Sequence, residues 1–327
     1  MAILANQKIL TLDYWKRVDK VTNNDYLFTQ TGKIVKVKLT QHFLSDNCYR
    51  VHFRDYLTIG GDLNLVLPIE NQQYRKHVNQ YKGHHKFRRP LQYFSIDTLK
   101  DLPVYDKRNR LAYSVPTAKP LALPTQGLPI PPFVFGLWIA GRGIKKNIWV
   151  AKHRIDAIQE KLKDRGYSMQ VKRHLIISSE IIITPSVESQ LVPFVPNSIP
   201  ENYLLASQEQ RMELLSGIMH RSARSFKEKI NKYLFVVNNK KLFRQVQYLA
   251  ESLGFKTKSE ENHGSYRLEF KSYTALVPEH TNTKPRAQIS RRYITRIEKI
   301  QPQMCVHIEL EDPNETFLVE EGFIACR

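Results

Sequence analysis

Residues 131–143, PPFVFGLWIAGRG, and residues 211–223, RMELLSGIMHRSA, are two apolar segments with a glycine near the middle of each, Gly136 and Gly217. Pro131 and Pro132 open the first at a place where proline is tolerated, the first turn of a helix. Taken alone, each segment reads as a core stripe at helical spacing. Their downstream neighbours make them a pair. After the first come IWVAK (148–152) as a strand, RIDAIQEKLKDRG (154–166) as an amphipathic helix ended by Gly166, and YSMQVKRHLIISSEIIITP (167–185) as strand material. After the second come KYLFVVNN (232–239) as a strand, NKKLFRQVQYLAESLGF (239–255) as a helix ended by Gly254, and SYRLEFKSY (265–273) as a strand. The same order of elements occurs twice, which implies an internal duplication of roughly 70 residues per copy.

Outward from this duplicated region the chain becomes β-rich at both ends. KILTL (8–12), YLFTQ (26–30), KIVKVKLT (33–40) and YRVHFRDYLTI (49–59) are separated by breaks at Asn23-Asn24, Thr31-Gly32 and Gly60-Gly61. RRYITRIEKI (291–300), MCVHIELE (304–311) and ETFLVEEGFIA (315–325) occupy the other end, with a turn at Asp312-Pro313-Asn314. Neither end buries enough apolar surface alone, so the two are expected to form one domain. Between them, QQYRKHVNQYKGHHKFRRP (72–90) reads as an exposed basic and aromatic arm, and the prolines of 103–132 as an extended connector. The expected division is residues 1–100 with 280–327, a connector at 101–127, and an inserted domain at 128–279 made of halves 128–200 and 201–279.

The 327 residues are 42% hydrophobic and 25% charged, a composition that folds rather than stays disordered. Lys and Arg exceed Asp and Glu by 50 to 31, a net charge of +19 that points to a polyanionic partner. Three cysteines, Cys48, Cys305 and Cys326, without CxxC spacing, give neither a disulfide framework nor a thiolate zinc site. Cys305 and Cys326 read as small core hydrophobes. No apolar stretch is long enough to span a bilayer, and the expected location is the cytoplasm.

Several stretches together resemble an intein carrying an inserted LAGLIDADG homing endonuclease. KILTLDYWKRVDKVTNNDYLFTQTGKIVKV (8–37) is similar to the opening of a Hint β-domain, NCYRVHFRDYLTIGGDLNL (47–65) to its second block, and residues 291–327 to its last two. PPFVFGLWIAGRG and RMELLSGIMHRSA sit where that family has its two LAGLIDADG helices. The resemblance implies an α+β fold: an all-β Hint-like domain built from both ends of the chain, with a duplicated αββαββ saddle inserted into it. It also implies a monomer with internal pseudo-two-fold symmetry, in which Gly136 and Gly217 allow the helix pair to pack backbone to backbone.

In the family each of these helices ends in a carboxylate that holds a divalent cation for phosphodiester hydrolysis. Here those positions fall on Gly141 and Ser222, neither of which supplies an anionic oxygen, and Arg142 and Arg221 follow or precede them with positive charge. Splicing requires a Cys or Ser nucleophile, an assisting histidine and a final His-Asn pair. Residues 1–7 hold no Cys or Ser, the histidine position falls on Leu65, and Arg327 stands where the terminal His is expected, with no Asn after it. The resemblance thus implies a scaffold without either chemistry, with no catalytic residue, no metal and no cofactor; Mg would be needed only if nuclease activity were retained.

What survives is polynucleotide-binding character. The candidate phosphate contacts are Arg75, Lys76, Lys82, Lys86, Arg88, Arg89, Lys145, Lys146, Lys152, Arg154, Lys172, Arg173, Lys227, Lys229 and Lys232. The expected partner is double-stranded DNA. Two other functions fit the same residues: an active site-specific endonuclease with relocated acids such as Asp156, Glu180 or Glu209, and an interaction protein whose basic surface binds a phage or host replication, transcription or virion protein. His77 with His84 and His85 is a poor zinc set, since adjacent residues rarely chelate one ion. His153, His174 and His220 read as structural or DNA-proximal.

Overall fold

The computed structural model describes residues 2–75, 91–141, 148–187, 190, 197–222, 232–278, 290–320 and 322–327. The chain divides into two compact units, Met1–Leu121 with Ile289–Arg327, and Ala122–Gln288. The first opens with strands β1 (Ala2–Leu4), β2 (Lys8–Thr11), β3 (Tyr14–Arg17), β4 (Tyr26–Phe28), β5 (Ile34–Ser45), β6 (Cys48–Phe53), β7 (Thr58–Asp62) and β8 (Val66–Ile69). β9 (Gln92–Ser95) pairs with β8 and runs into the short helix α1 (Ile96–Lys100), where the Ser95 hydroxyl accepts the Thr98 N–H at 3.2 Å. β10 (Ser114–Pro116) comes next. Residues 101–127, expected as one connector, are therefore divided: through Leu121 they belong to the first unit.

The second unit contains α2 (Pro132–Gly141), β11 (Ile148–Ala151), α3 (Ile155–Lys163), β12 (Ser168–His174), β13 (Ser178–Thr184), α4 (Glu201–Leu204), α5 (Gln208–Ser222), β14 (Lys232–Val237), α6 (Lys240–Ser252), β15 (Thr257–Asn262) and β16 (Ser265–Lys271). Its two three-stranded sheets have the same topology, β11-β13-β12 and β14-β16-β15. Each half thus reads αβαββ among the described residues, where αββαββ was expected; residues 142–147 and 223–231, just past the two central helices, are not among them. α6 forms because Asn239 caps it, accepting the Leu242 N–H at 2.8 Å, and because Leu242, Phe243, Val246 and Leu249 fall on one buried stripe. Gly166 and Gly254 stop α3 and α6 in left-handed backbone, at φ +75° and +78°.

The chain then returns to the first unit as β17 (Arg291–Ile300), β18 (Gln303–Leu310), β19 (Phe317–Val319) and β20 (Ile324–Cys326). These strands complete the sheet that the N-terminal segment begins. β18 lies between β1 and β5, pairing Val306 with Ile3 and with His42, while β17 pairs along β6 from Ile300↔Cys48 to Ile294↔Phe53. Ile9 of β2 opposes Val319 of β19. One core results, in which Ile3, Val51, Ile59 and Leu65 from the first segment pack with Val306, Ile308 and Ile324 from the last. Among the described residues no helix is long and apolar enough to cross a membrane.

Candidate nucleic-acid interface and central helix pair

α2 and α5 meet backbone to backbone. A Cβ on Gly136 would lie 2.3 Å from the Leu214 carbonyl oxygen and 3.2 Å from the Gly217 Cα. One on Gly217 would lie 2.2 Å from the Phe133 carbonyl oxygen and 2.8 Å from the Leu137 nitrogen. No side chain fits in either place, and the atoms it would strike are main chain. Around the contact Phe133, Leu137, Leu214 and Ile218 are all buried. Arg211, at the start of α5, is wholly buried and fixes that helix to its neighbour: its Nε donates to the Ala206 carbonyl at 2.8 Å and its Nη1 to the Ser252 carbonyl, at the end of α6, at 2.6 Å. Burial pushes its pKa down to about 10, which leaves it charged at neutral pH.

Gly141 is the last residue of α2 and Ser222 the last of α5. Beside the end of α5 stands a cation. Arg154 is only 2% exposed, and its Nη1 donates to the Met219 carbonyl at 3.0 Å and the His220 carbonyl at 2.9 Å. A guanidinium here satisfies last-turn carbonyls and meets the negative end of the helix dipole. Burial also pulls the Arg221 pKa below its ordinary value. His220 is buried, with Nδ1 2.8 Å from the Ser216 carbonyl oxygen and its ring edge-on to Phe133 at 5.1 Å. The divalent cation implied by the resemblance to LAGLIDADG helices does not fit the described residues here. Both helix ends lack a carboxylate, a buried arginine lies against one of them, and among the described residues no three of His, Cys, Asp and Glu converge. Asp156 lies in the first turn of α3, Glu180 within β13 and Glu209 in the first turn of α5; they form no such group.

The candidate phosphate contacts among the described residues separate into three sets. Lys152, in the turn after β11, and Lys172 and Arg173, on β12, are exposed, with Lys172 Nζ 3.8 Å from Glu180 Oε1. Lys232 is half-buried and ion-paired with Glu269 at 2.8 Å. Arg75 and Arg154 are corrections: both are buried and both serve the fold. Arg75 Nη1 donates to the Glu70 carbonyl at 2.8 Å and Nη2 to the Leu111 carbonyl at 3.0 Å, so its donors face main chain rather than phosphate. Lys76, Lys82, Lys86, Arg88, Arg89, Lys145, Lys146, Lys227 and Lys229 lie outside the described residues, as do His77, His84 and His85.

The outer strands of the two sheets, alike in their place in the topology, are unlike in charge. β12 ends in exposed Lys172, Arg173 and His174, whereas its counterpart β15 carries exposed Lys258, Glu260 and Glu261. Lys258 is neutralised by Glu260 at 2.7 Å. The candidate contacts named from the sequence draw on both halves and leave this strand-to-strand difference unremarked. The signal was there: aligning the two copies sets SMQVKRH (168–174) against TKSEEN (257–262).

In the β-unit, Leu65 and Arg327, which the resemblance sets at imidazole positions, have other work. Leu65 is fully buried in the shared core. Arg327 pairs with Val66 through two main-chain bonds of 2.8 and 2.9 Å and lays its guanidinium 3.9 Å over the Tyr93 ring. All three cysteines are buried; burial, then the neighbouring Cys48, pushes Cys305 up to about 12, and burial raises Cys326 well above an ordinary thiol. Neither Cys305 nor Cys326 is poised as a thiolate nucleophile.

No protein-family profile matches the chain. It is 23% identical over 336 residues to the replicative DNA helicase DnaB of Mycobacterium intracellulare, a match that takes in 95% of this chain and 55% of the helicase. The chain therefore spans about half the length of that curated relative. Among solved structures, the MchDnaB-1 intein aligns with 21% of this chain and 53% of its own, at 25% identity and a TM-score of 0.20. The structure of I-DmoI in complex with DNA and Mn aligns with 44% of this chain and 89% of its own, at 13% identity and a TM-score of 0.31.

Proposed function

We infer that this chain, an intein-type β-unit interrupted by a LAGLIDADG-type unit, is a double-stranded DNA-binding protein that has lost protein splicing and metal-dependent cleavage. The observation that carries the reading is the pairing of an exposed basic strand, Lys172 and Arg173 with nearby Lys152, with a helix pair that ends in Gly141 and Ser222 instead of carboxylates. The cations attract phosphates, and their attraction depends on counterion release rather than on a metal centre. The buried guanidinium of Arg154 supports the loss of cleavage, because a cation held at the end of α5 opposes a second one electrostatically. Leu65 and Arg327 support the loss of splicing, since an aliphatic side chain and a guanidinium cannot pass a proton as an imidazole does. A phage or host replication, transcription or virion protein is a further proposed partner.

The test is duplex binding across a salt series, with cleavage monitored in magnesium and in manganese. Affinity is expected to fall as log K drops by about 0.9 per phosphate neutralised, with intact DNA in both metals. Lys172→Glu with Arg173→Glu is expected to weaken binding at least about tenfold. The proper control is Lys20→Glu with Lys33→Glu on exposed β-unit positions. Arg291 and Arg292 do not serve, because Arg291 is ion-paired with buried Glu70 at 2.8 Å and buried Arg292 holds Asp55 and the Gly322 carbonyl. Equal effects of the two double variants overturn the DNA-binding surface, and metal-dependent nicking at a defined site overturns the loss of cleavage.

A further inference from the structure

The turn between β12 and β13 breaks the ordinary rules of turn composition. The Leu175 N–H donates to the Ser178 carbonyl at 2.8 Å, closing a turn whose two corners are Ile176 and Ile177. These side chains are 95% and 79% exposed, and Leu175 beside them is 44% exposed. Turn corners favour Gly, Asn, Asp and Ser, and a β-branched aliphatic held out in water forgoes all of its burial free energy. The corresponding hairpin of the second half, β15 to β16, solves the same problem conventionally with His263 and Gly264, both in left-handed backbone at φ +45° and +76°. The isoleucine tip is also held firmly. The Lys152 N–H donates to the Ile177 carbonyl at 3.0 Å, and His174 Nδ1 lies 2.9 Å from the Ser179 hydroxyl.

Exposed Lys172 and Arg173 flank it on one side and exposed Lys152 on the other, with the exposed imidazoles of His174 and His153 beside them. A ligand for this feature must be anionic at its rim and apolar within a few ångströms of it. Duplex DNA has that arrangement, with phosphates flanking stacked bases, and small aliphatic side chains are able to part a base step. We propose that Ile176 and Ile177 form an apolar wedge that enters duplex DNA between base pairs, while Lys152, Lys172 and Arg173 hold the adjacent phosphates. The proposal rests on the DNA-binding reading and adds a mode of recognition to it: the site favoured is the one whose base step is cheapest to unstack.

The experiment compares the full-length protein with Ile176→Ser/Ile177→Ser on two fluorescent duplexes of one mixed sequence, one fully paired and one with a single mismatch, by anisotropy. A mismatch removes part of the unstacking cost in advance, so the unaltered protein is expected to bind the mismatched duplex about tenfold more tightly. The serine variant is expected to bind both duplexes equally and to keep the same salt slope, and Ile176→Leu/Ile177→Leu to restore the preference. Lys172→Glu/Arg173→Glu is expected to weaken both duplexes and leave the preference intact. An unaltered protein that binds DNA without preferring the mismatch, or a serine variant that keeps the preference, overturns the wedge and leaves the DNA-binding reading standing. No duplex binding at low salt overturns both, and binding instead to phosphatidylserine vesicles or an acidic polypeptide, lost in the serine variant, overturns the wedge by reassigning the tip.

Discussion

Arg154 shows how far one side chain's role depends on its neighbours. Its place in a Lys-His-Arg run suits a phosphate contact, yet its guanidinium faces the last carbonyls of α5 and is 2% exposed. Arg154→Met keeps the volume and removes the donors, leaving carbonyl groups unpaired at a buried helix end. The expected loss of stability is about 2–4 kcal/mol, read as a fall in the denaturation midpoint. At temperatures where the variant is folded, its salt slope for DNA should match that of the unaltered protein. A reduced slope with unchanged stability would return Arg154 to the phosphate contacts. The contrast with Lys172 is local: β12 is the outer strand of its sheet and its side chains at 172–174 stand in solvent.

Between elements, the decisive feature is the crossing of α2 and α5. Main-chain atoms of each helix occupy the space a Cβ would need on the other, with 2.2 Å to the Phe133 oxygen from Gly217 and 2.3 Å to the Leu214 oxygen from Gly136. Neither helix can yield by turning a side chain, so even alanine must separate them. Gly217→Ala is expected to lower stability by about 1–3 kcal/mol, and Gly217→Leu by more, through overpacking. Thermal melts of both variants check this, and an unchanged melting temperature in Gly217→Ala would show that the crossing is loose enough to accept a methyl group. Pairing Gly217→Ala with Gly136→Ala should cost less than the sum of the two single changes, because once the helices part for one methyl the second finds room.

For the whole molecule, the interruption of one β-unit by another unit governs folding. β1, β2, β5 and β6 find partners in β17, β18 and β19, more than 200 residues away, whereas the sheets of the second unit pair strands that are close in the chain. Residues 122–288 expressed alone are therefore expected to melt cooperatively and to bind duplex DNA, since their core and the basic strand are self-contained. Residues 1–121 alone are expected to stay unfolded or to aggregate through unpaired strand edges, and to fold when residues 289–327 are supplied. Circular dichroism melts of the three samples decide the matter; a cooperative melt of 1–121 alone would show that the closing strands are dispensable.

The amino-acid sequence by itself determined the duplication, the β-rich character of both ends, and the helix pair with its glycines. Hydrophobic period, turn residues and capping are local properties, and each of these features is local or repeated. That Gly141 and Ser222 bring no anionic oxygen to the helix ends was legible for the same reason, because the chemistry of a residue type needs no coordinates. Only the tertiary structure decided which basic residues face solvent. Arg75, Arg154, Arg291 and Arg292 look like Lys172 and Arg173 in sequence, and they differ because distant carbonyls and carboxylates at Leu111, Met219, Glu70 and Asp55 come to meet them. The exposed isoleucine turn was hidden likewise. LIIS reads as the middle of a strand until the pairing of β12 with β13 turns the chain at those two residues, and an apolar run records only that it is apolar, not which side of the fold it reaches.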